Sequence, residues 1–268
     1  MAYSANGTTV AVALKNGIVS FWDPETVLER KSWQAHAQPL LAIAFSPAGR
    51  LFTSASSDGV VKVWDVDSNE LQKSLSIAPE GKTLAPGTIS NVSIAFSPDG
   101  TFLAVVTPIS SKFWDTITWN ETQRFYGRGS SIPKGANCVA LSSDNSRCAI
   151  ADTKGIFITD RDGPLVHYNI KAEGVHRHLI FSNDSNLIRS TQGTFDVVKM
   201  QRVRWPRAMR KRFPAEVFLD EGWVIDDLGR RCCWVPEAFR QDDCYAAHEN
   251  RVVFAGNGRL MFVKLQLE

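Results

Sequence analysis

One short phrase recurs along this chain of 268 residues. An aromatic residue or leucine precedes a serine, then a turn, then an apolar run. It reads Tyr3-Ser4-Ala5-Asn6-Gly7, Phe45-Ser46-Pro47-Ala48-Gly49 and Phe96-Ser97-Pro98-Asp99-Gly100. It returns more loosely as Leu141-Ser142-Ser143-Asp144-Asn145 and Phe181-Ser182-Asn183-Asp184-Ser185. The steps between copies are 42, 51, 45 and 40 residues. A period of about 40–45 residues, built from short β segments and turns, corresponds to four-stranded units arrayed around an axis. Such a unit cannot bury both faces alone, so neighbours must cover one another. The expected fold is therefore all-β: one β-propeller domain over residues 1–268, with about six blades at approximately 1–34, 35–77, 88–130, 135–171, 174–219 and 220–268.

The stretch from Gln34 to Ile77 is the clearest unit. Leu40 to Phe45 alternates and ends at the Ser46 turn; Arg50 to Ser56 is a second strand. Asp58-Gly59 is a hairpin signal, because such a turn needs positive φ. Val60 to Val66 is a third strand, and the more polar Glu70 to Ser76 a fourth, as suits an outer edge. Four antiparallel strands in sequence form the meander of one wedge-shaped blade.

This unit resembles the WD-repeat (β-transducin-like) family at particular positions. Ala35-His36 stands where the family has Gly-His. Ser54, Asp58 and Trp64-Asp65 stand at its second-strand Ser, hairpin Asp and terminal Trp-Asp. The resemblance implies a structural tetrad of His36, Ser54, Asp58 and Trp64 joined by hydrogen bonds. Buried imidazole, hydroxyl and indole groups each need a partner, which a closed network supplies. Ser54, His36 and Asp58 are also the residue types of a hydrolase triad. A serine in mid-strand, off any strained elbow, with Trp64 beside it, favours the structural role.

The other units carry the pattern in part. The first keeps Trp22-Asp23 but has Val12 at the tetrad serine; the third keeps Trp114-Asp115 with Pro108 at the hairpin position. The fourth ends in Thr159-Asp160, and the fifth, Phe195 to Met200, lacks a Trp-Asp pair. Beyond residue 200 the pattern changes to a Gly-Trp strand, a Cys-Trp-Val-Pro strand and an Arg-Val-Val-Phe-Ala-Gly hairpin. That order is loosely similar to the closing WD-repeat segment of fungal NACHT-type, NLR-like proteins. Tyr3-Ser4 reads as the end of a strand whose start is absent. The expectation is an incomplete first blade of about three strands, as in a seven-bladed ring truncated at its beginning.

A basic insert, 199–212, holds Lys199, Arg202, Arg204, Arg207, Arg210, Lys211 and Arg212 around Trp205. Guanidinium groups at this density attract phosphates or acidic peptides. A solvated loop balanced by Asp220, Glu221, Asp226 and Asp227 is the plainer reading, and nucleic acid is the alternative partner rather than the expected one. Trp119 and Trp205 are candidate exposed anchors for a protein partner. His176 and His178 could share a strand face as a metal pair, but no third ligand lies near them in sequence, so a surface pair without metal is expected. No phosphate-binding glycine loop or paired acid–base carboxylates occur, so neither cofactor nor catalysis is expected. Five cysteines with no Cys-x-x-Cys pair fit a reducing compartment, cytosol or nucleus. No apolar run approaches the roughly 20 residues that span a bilayer. These readings together imply a non-catalytic WD-repeat scaffold that binds proteins or peptides. Residues 79–87 and 121–134 are expected as contact-making loops.

Overall fold

The computed structural model describes residues 1–78, 84–122, 135–161, 168–171, 174, 176, 178–190, 192–203, 218–220, 223–225, 231–239, 245–256 and 259–265. These residues form seven antiparallel sheets in chain order. Sheet 1 is β1 (Ala2–Tyr3), β2 (Val10–Ala13), β3 (Ile18–Trp22) and β4 (Glu29–Gln34); sheet 2 is β5 (Leu40–Phe45), β6 (Leu51–Ser56), β7 (Val60–Asp65) and β8 (Leu71–Ser76). Sheet 3 has β9 (Ser93–Phe96), β10 (Phe102–Val106) and β11 (Ser111–Asp115). Sheet 4 is β12 (Cys138–Leu141), β13 (Arg147–Ala151), β14 (Gly155–Asp160) and β15 (Tyr168–Lys171). Sheet 5 is β16 (Ile180–Phe181), β17 (Leu187–Ser190), β18 (Gly193–Asp196) and β19 (Gln201–Val203). Sheet 6 has β20 (Phe218–Asp220), β21 (Trp223–Ile225) and β22 (Arg231–Trp234), and sheet 7 has β23 (Tyr245–His248), β24 (Arg251–Gly256) and β25 (Arg259–Lys264).

The sheets cover one another through shared apolar seams. Phe21 and Val19 of sheet 1 meet Phe52 and Trp64 of sheet 2. Val61 and Val63 of sheet 2 meet Leu103 and Val105 of sheet 3. Phe102, Ala104 and Phe113 meet Val139 and Ile150 of sheet 4, and Ile156 and Ile158 meet Ile188 and Phe195 of sheet 5. This is why β10 is buried at all five of its positions. A strand covered on both faces reads as a continuous apolar run, whereas β8, at the outer edge, is exposed at five of six residues.

The first strands gather together: β1 lies beside β5, β5 beside β9, β9 beside β12, β12 beside β16, and β23 beside β1. The last of these contacts joins the two ends of the described chain. Val10 and Val12 of sheet 1 pack with Val253 of sheet 7, and Trp22 lies 6.5 Å from the Phe262 ring. The Arg251 guanidinium donates to the Gly7 carbonyl at 3.4 Å. Arg147 makes the same contact between consecutive sheets 4 and 5, donating to the Ser185 carbonyl at 3.3 Å.

Two expectations need correction. The single blade expected over 220–268 is two three-stranded sheets, because Tyr245–His248 pairs with β24 and so starts a new meander. These sheets stack face to face through Val224, Val252 and Phe254 instead of sharing an edge. The first blade has four strands, not three, since Ala2 and Tyr3 pair with Ala11 and Val10. No helix among the described residues is long and apolar enough to cross a membrane.

Candidate functional site

The recurring serine phrase is one turn made five times. Each serine hydroxyl accepts the backbone N–H five residues on: Thr9 to Ser4 at 3.0 Å, Leu51 to Ser46 at 3.0 Å, Phe102 to Ser97 at 2.9 Å, Arg147 to Ser142 at 2.8 Å and Leu187 to Ser182 at 3.0 Å. The fourth residue of each turn is left-handed: Gly7, Gly49, Gly100, Asn145 and Ser185, with φ between 56° and 73°. Glycine adopts that conformation without a Cβ penalty, and asparagine tolerates it. Four of the serines also donate to a side chain two residues on, Asn6, Asp99, Asp144 or Asp184. Ser46 lacks this partner, because residue 48 is alanine. Ala48→Asp is expected to raise stability by about 0.5–1 kcal/mol, the net worth of a hydrogen bond. A higher urea midpoint with an unchanged slope would verify it.

A second turn recurs between the third and fourth strands. Asp23, Asp65, Asp115 and Asp196 each direct Oδ1 at the two N–H groups that follow at i+2 and i+3, between 2.7 and 3.1 Å. The residue four positions on is left-handed in every copy: Val27, Asn69, Trp119 and Met200. This explains the aspartate of the Trp-Asp pairs as a turn clamp. It also shows that the fifth unit keeps the clamp as Asp196, with Phe195 in place of tryptophan, so that no Trp-Asp pair marks it in the sequence. The carboxyl of Asp23 is held at about 2, first by the Arg30 guanidinium and then by the Thr26 and Glu25 N–H groups. Asp115→Ala leaves the Ile117 and Thr118 N–H groups without their clamp, and about 1 kcal/mol of stability should be lost. Thermal melting of the two proteins measures it.

Both turns lie at the same end of each meander, since alternate connections of antiparallel strands share an end. Backbone hydrogen bonds tie them together: Val66 to Arg50, Thr116 to Thr101, Arg161 to Ser146 and Val197 to Asn186. Large apolar side chains stand out from this end. Ile117 is 81 % exposed, Val198 67 % and Leu28 65 %, with Val27 and Leu71 beside the same turns in sheets 1 and 2. At the opposite end, among the described residues, Leu14 and Ile109 are the exposed large aliphatics.

The expected tetrad is three groups, not four. Ser54 is fully buried in β6. Its Oγ accepts the Trp64 indole N–H at 2.9 Å and lies 2.8 Å from Nε2 of His36. The Ser54 hydroxyl thus joins the indole of Trp64 to the imidazole of His36. Asp58 instead accepts the Ser56 hydroxyl and the Val60 N–H, closing the hairpin at Gly59. Its own side chain holds the turn, so it acts on His36 only through charge. A nucleophilic triad is therefore not assembled: Ser54 faces no solvent and His36 has no carboxylate orienting it.

His176 and His178 are separated by environment. His176 is wholly buried, 2.9 Å from the Ser190 hydroxyl and edge-on to Phe195 at 6.0 Å. It repeats the His36–Ser54 pair in sheet 5, where the sequence reading had placed a surface histidine. The signal available was the order, a histidine before the first strand and a second-strand serine at the same step from the turn serine, Ser54 after Ser46 and Ser190 after Ser182. His178 is exposed, with its ring 4.7 Å from Tyr245. No group of three His, Cys, Asp or Glu suited to a metal occurs among the described residues. Trp119 is half-buried and packs against the seam of sheets 2 and 3 instead of standing free as an anchor. Arg204, Trp205, Arg207, Arg210, Lys211 and Arg212 lie outside the described residues, as do 79–83 and 123–134 of the two expected loops.

Residues 28–65 match the family model described as WD domain, G-beta repeat. They run from the end of sheet 1 through the Trp64-Asp65 pair. That segment matches one WD repeat, and the chain is similar to WD-repeat proteins beyond it. It is 41 % identical over 71 residues to a WD repeat-containing protein, SL1-17, of Schistosoma mansoni, covering 26 % of this chain and 23 % of that protein. It is 28 % identical over 178 residues to the WD repeat-containing protein VIP3 of Arabidopsis thaliana, covering 61 % of this chain and 52 % of the relative. It is 26 % identical over 141 residues to the human apoptotic protease-activating factor 1, covering 51 % of this chain and 10 % of that protein. The chain thus spans about half or less of the length of these relatives.

Proposed function

We propose that this WD-repeat chain is a non-catalytic docking platform for proteins or peptides, working in a reducing compartment as the binding part of a larger signalling protein. The exposed apolar residues at one end of the sheets carry the reading. Ile117, Val198 and Leu28 stand in or beside turns whose backbone is fixed by Asp clamps. Rigid turns lose little conformational freedom when a partner orders them, which favours recognition. Small shares of long relatives, such as the 10 % of the human apoptotic factor, support a place within a longer polypeptide. Thiols in the seams, Cys138 and Cys148, support the reducing compartment.

The test is a paired charge-insertion series. A partner captured by the intact chain is purified and its affinity measured directly. Ile117→Asp and Val198→Asp, each at an exposed site, should weaken binding by at least about 1–2 kcal/mol, as for a central interface contact. Leu14→Asp and Ile109→Asp, at the opposite end, should leave it unchanged. Equal loss from both ends, with melting temperatures intact, would move the docking face elsewhere.

A further inference from the structure

Ile117 and Val198, at 81 % and 67 %, are the two most exposed large hydrophobics among the described residues, and they stand in the aspartate turns of sheets 3 and 5. Between them runs an arc of serine turns, those of sheets 3, 4 and 5, bonded side by side. The Asp99 N–H donates to Asn145 Oδ1 at 3.3 Å, the Asp144 N–H to Ser185 Oγ at 3.4 Å, and the Ser143 hydroxyl to the Ser182 carbonyl at 3.3 Å. The same position of each turn is an exposed aspartate: Asp99, Asp144 and Asp184. Oδ1 of each accepts the serine hydroxyl of its own turn at 2.5–2.6 Å and the backbone N–H two residues on at 3.0–3.2 Å. The charges are thus fixed in place before a partner arrives. The aspartate turns are tied to the same arc, since the Thr116 hydroxyl donates to the Gly100 carbonyl at 2.5 Å and the Val197 N–H to the Asn186 carbonyl at 2.9 Å. Two cations of the arc are turned to other groups: Arg147 donates to Asp160 and to the Ser185 carbonyl, and Arg161 lies 4.3 Å from the Phe102 ring. Lys199, beside Val198, is exposed.

We propose that the docking face assigned above, on which this inference rests, takes a lysine- or arginine-rich peptide segment of a protein partner over sheets 3 to 5. Apolar side chains of the segment rest on Ile117 and Val198, and its cations lie along Asp99, Asp144 and Asp184. Charge complementarity selects that partner. The chain has a formal net charge of +2, so a cationic segment gains nothing from the molecule as a whole and is drawn only where carboxylates are held together. An acidic segment would meet three fixed like charges, which is costly. A purely apolar segment would use the two anchors but strip water from the carboxylates without replacing it, which is costly too. Only a segment carrying both features satisfies the whole arc.

The full chain would be titrated into short fluorescent peptides and binding read by anisotropy. One peptide carries lysines and two leucines, a second has serines for the leucines, and a third has glutamates for the lysines. The first should bind, the second more weakly, and the third not at all. Asp99→Asn, Asp144→Asn and Asp184→Asn keep the acceptor each turn uses and remove its charge. Combined, they should lower affinity for the first peptide at least about 5-fold, the joint worth of three exposed ion pairs. The parent's binding should weaken between about 0.05 and 0.5 M salt, and that of the triple variant should hardly change. Lys15→Gln and Lys154→Gln, in turns at the opposite end, should leave affinity unaltered. Should the triple variant melt early, Asp184→Asn alone must still lower affinity. Binding of the glutamate peptide, or equal affinity in parent and amide variants, would overturn the cationic occupant. The partner captured in the charge-insertion series separates this outcome from failure of the face itself. If its binding falls with Ile117→Ser and Val198→Ser but survives the amide variants and high salt, the face stands and its cationic occupant is lost. If it ignores the serine variants as well, the face is lost.

Discussion

Ser54→Ala is expected to cost about 2–4 kcal/mol of stability, because two buried partners lose one shared atom and each orphaned group costs about 1–3 kcal/mol. The Trp64 indole N–H and His36 Nε2 both meet Ser54 Oγ, and the three side chains are at most 7 % exposed. Alanine fills nearly the same space, so cavity formation adds little. Phe21, Trp33 and Phe52, whose rings lie 5.1–6.2 Å apart, pack in the same cluster as Trp64. Ser56→Ala is the natural comparison, since it removes one hydroxyl that serves Asp58 beside an available backbone N–H. Urea denaturation of the three proteins should place Ser54→Ala well below Ser56→Ala. Equal midpoints would mean that Ser54 is not the node of the network.

The sheets were legible from the sequence wherever two strands flank a turn with restricted backbone. In sheet 2 the expected strands 40–45, 50–56, 60–66 and 70–76 agree with β5 to β8 within a residue at each end. Alternation and Asp-Gly fixed them, and both are local. Local pattern could not say how the last residues divide. Whether Tyr245–His248 joins the preceding meander or begins another depends on pairing with β24. The same limit applies to the sites. Asp58 was assigned to His36 by its place in the family pattern, but an aspartate in a hairpin satisfies the nearest donors first, here Ser56 and Val60. His176 reads as half of a surface pair with His178, because the two share a strand face in sequence and no third ligand stands near; no tryptophan marks its buried partner Ser190. The Asp turns were half legible: the Trp-Asp pairs marked three, and the fourth was hidden behind Phe195. What sequence did not mark at all is which end of the sheets carries exposed Ile117 and Val198, since an exposed aliphatic in a turn looks like a buried one in a strand.

Stability should fall as the pH drops from about 6.5 to about 4, and His36 is the group responsible. Burial first, and then the nearby Lys62 ammonium, lower its value from 6.5 to about 4 in the folded chain, with Asp58 acting weakly the other way. Above pH 6.5 the imidazole is neutral in both states and the contribution is fully present. Below it the unfolded chain takes up a proton that the folded chain refuses, so unfolding is favoured progressively until the folded value is reached. At 1.36 kcal/mol per pKa unit the loss approaches about 3 kcal/mol. The geometry gives the reason: protonation would place a charge in a buried site, with a second cation near Lys62, whose ammonium already bonds the Ala35 carbonyl at 2.7 Å. His36→Gln isolates the term, because every other titrating group is common to both proteins. The variant should be clearly less stable than the parent at pH 7.5, with the gap closing as the pH approaches 4. Lys62→Gln should narrow the window by letting His36 titrate higher. A gap that stays constant from pH 7.5 to 4 would show that His36 takes up its proton equally easily in both states, and the buried neutral imidazole would have to be abandoned.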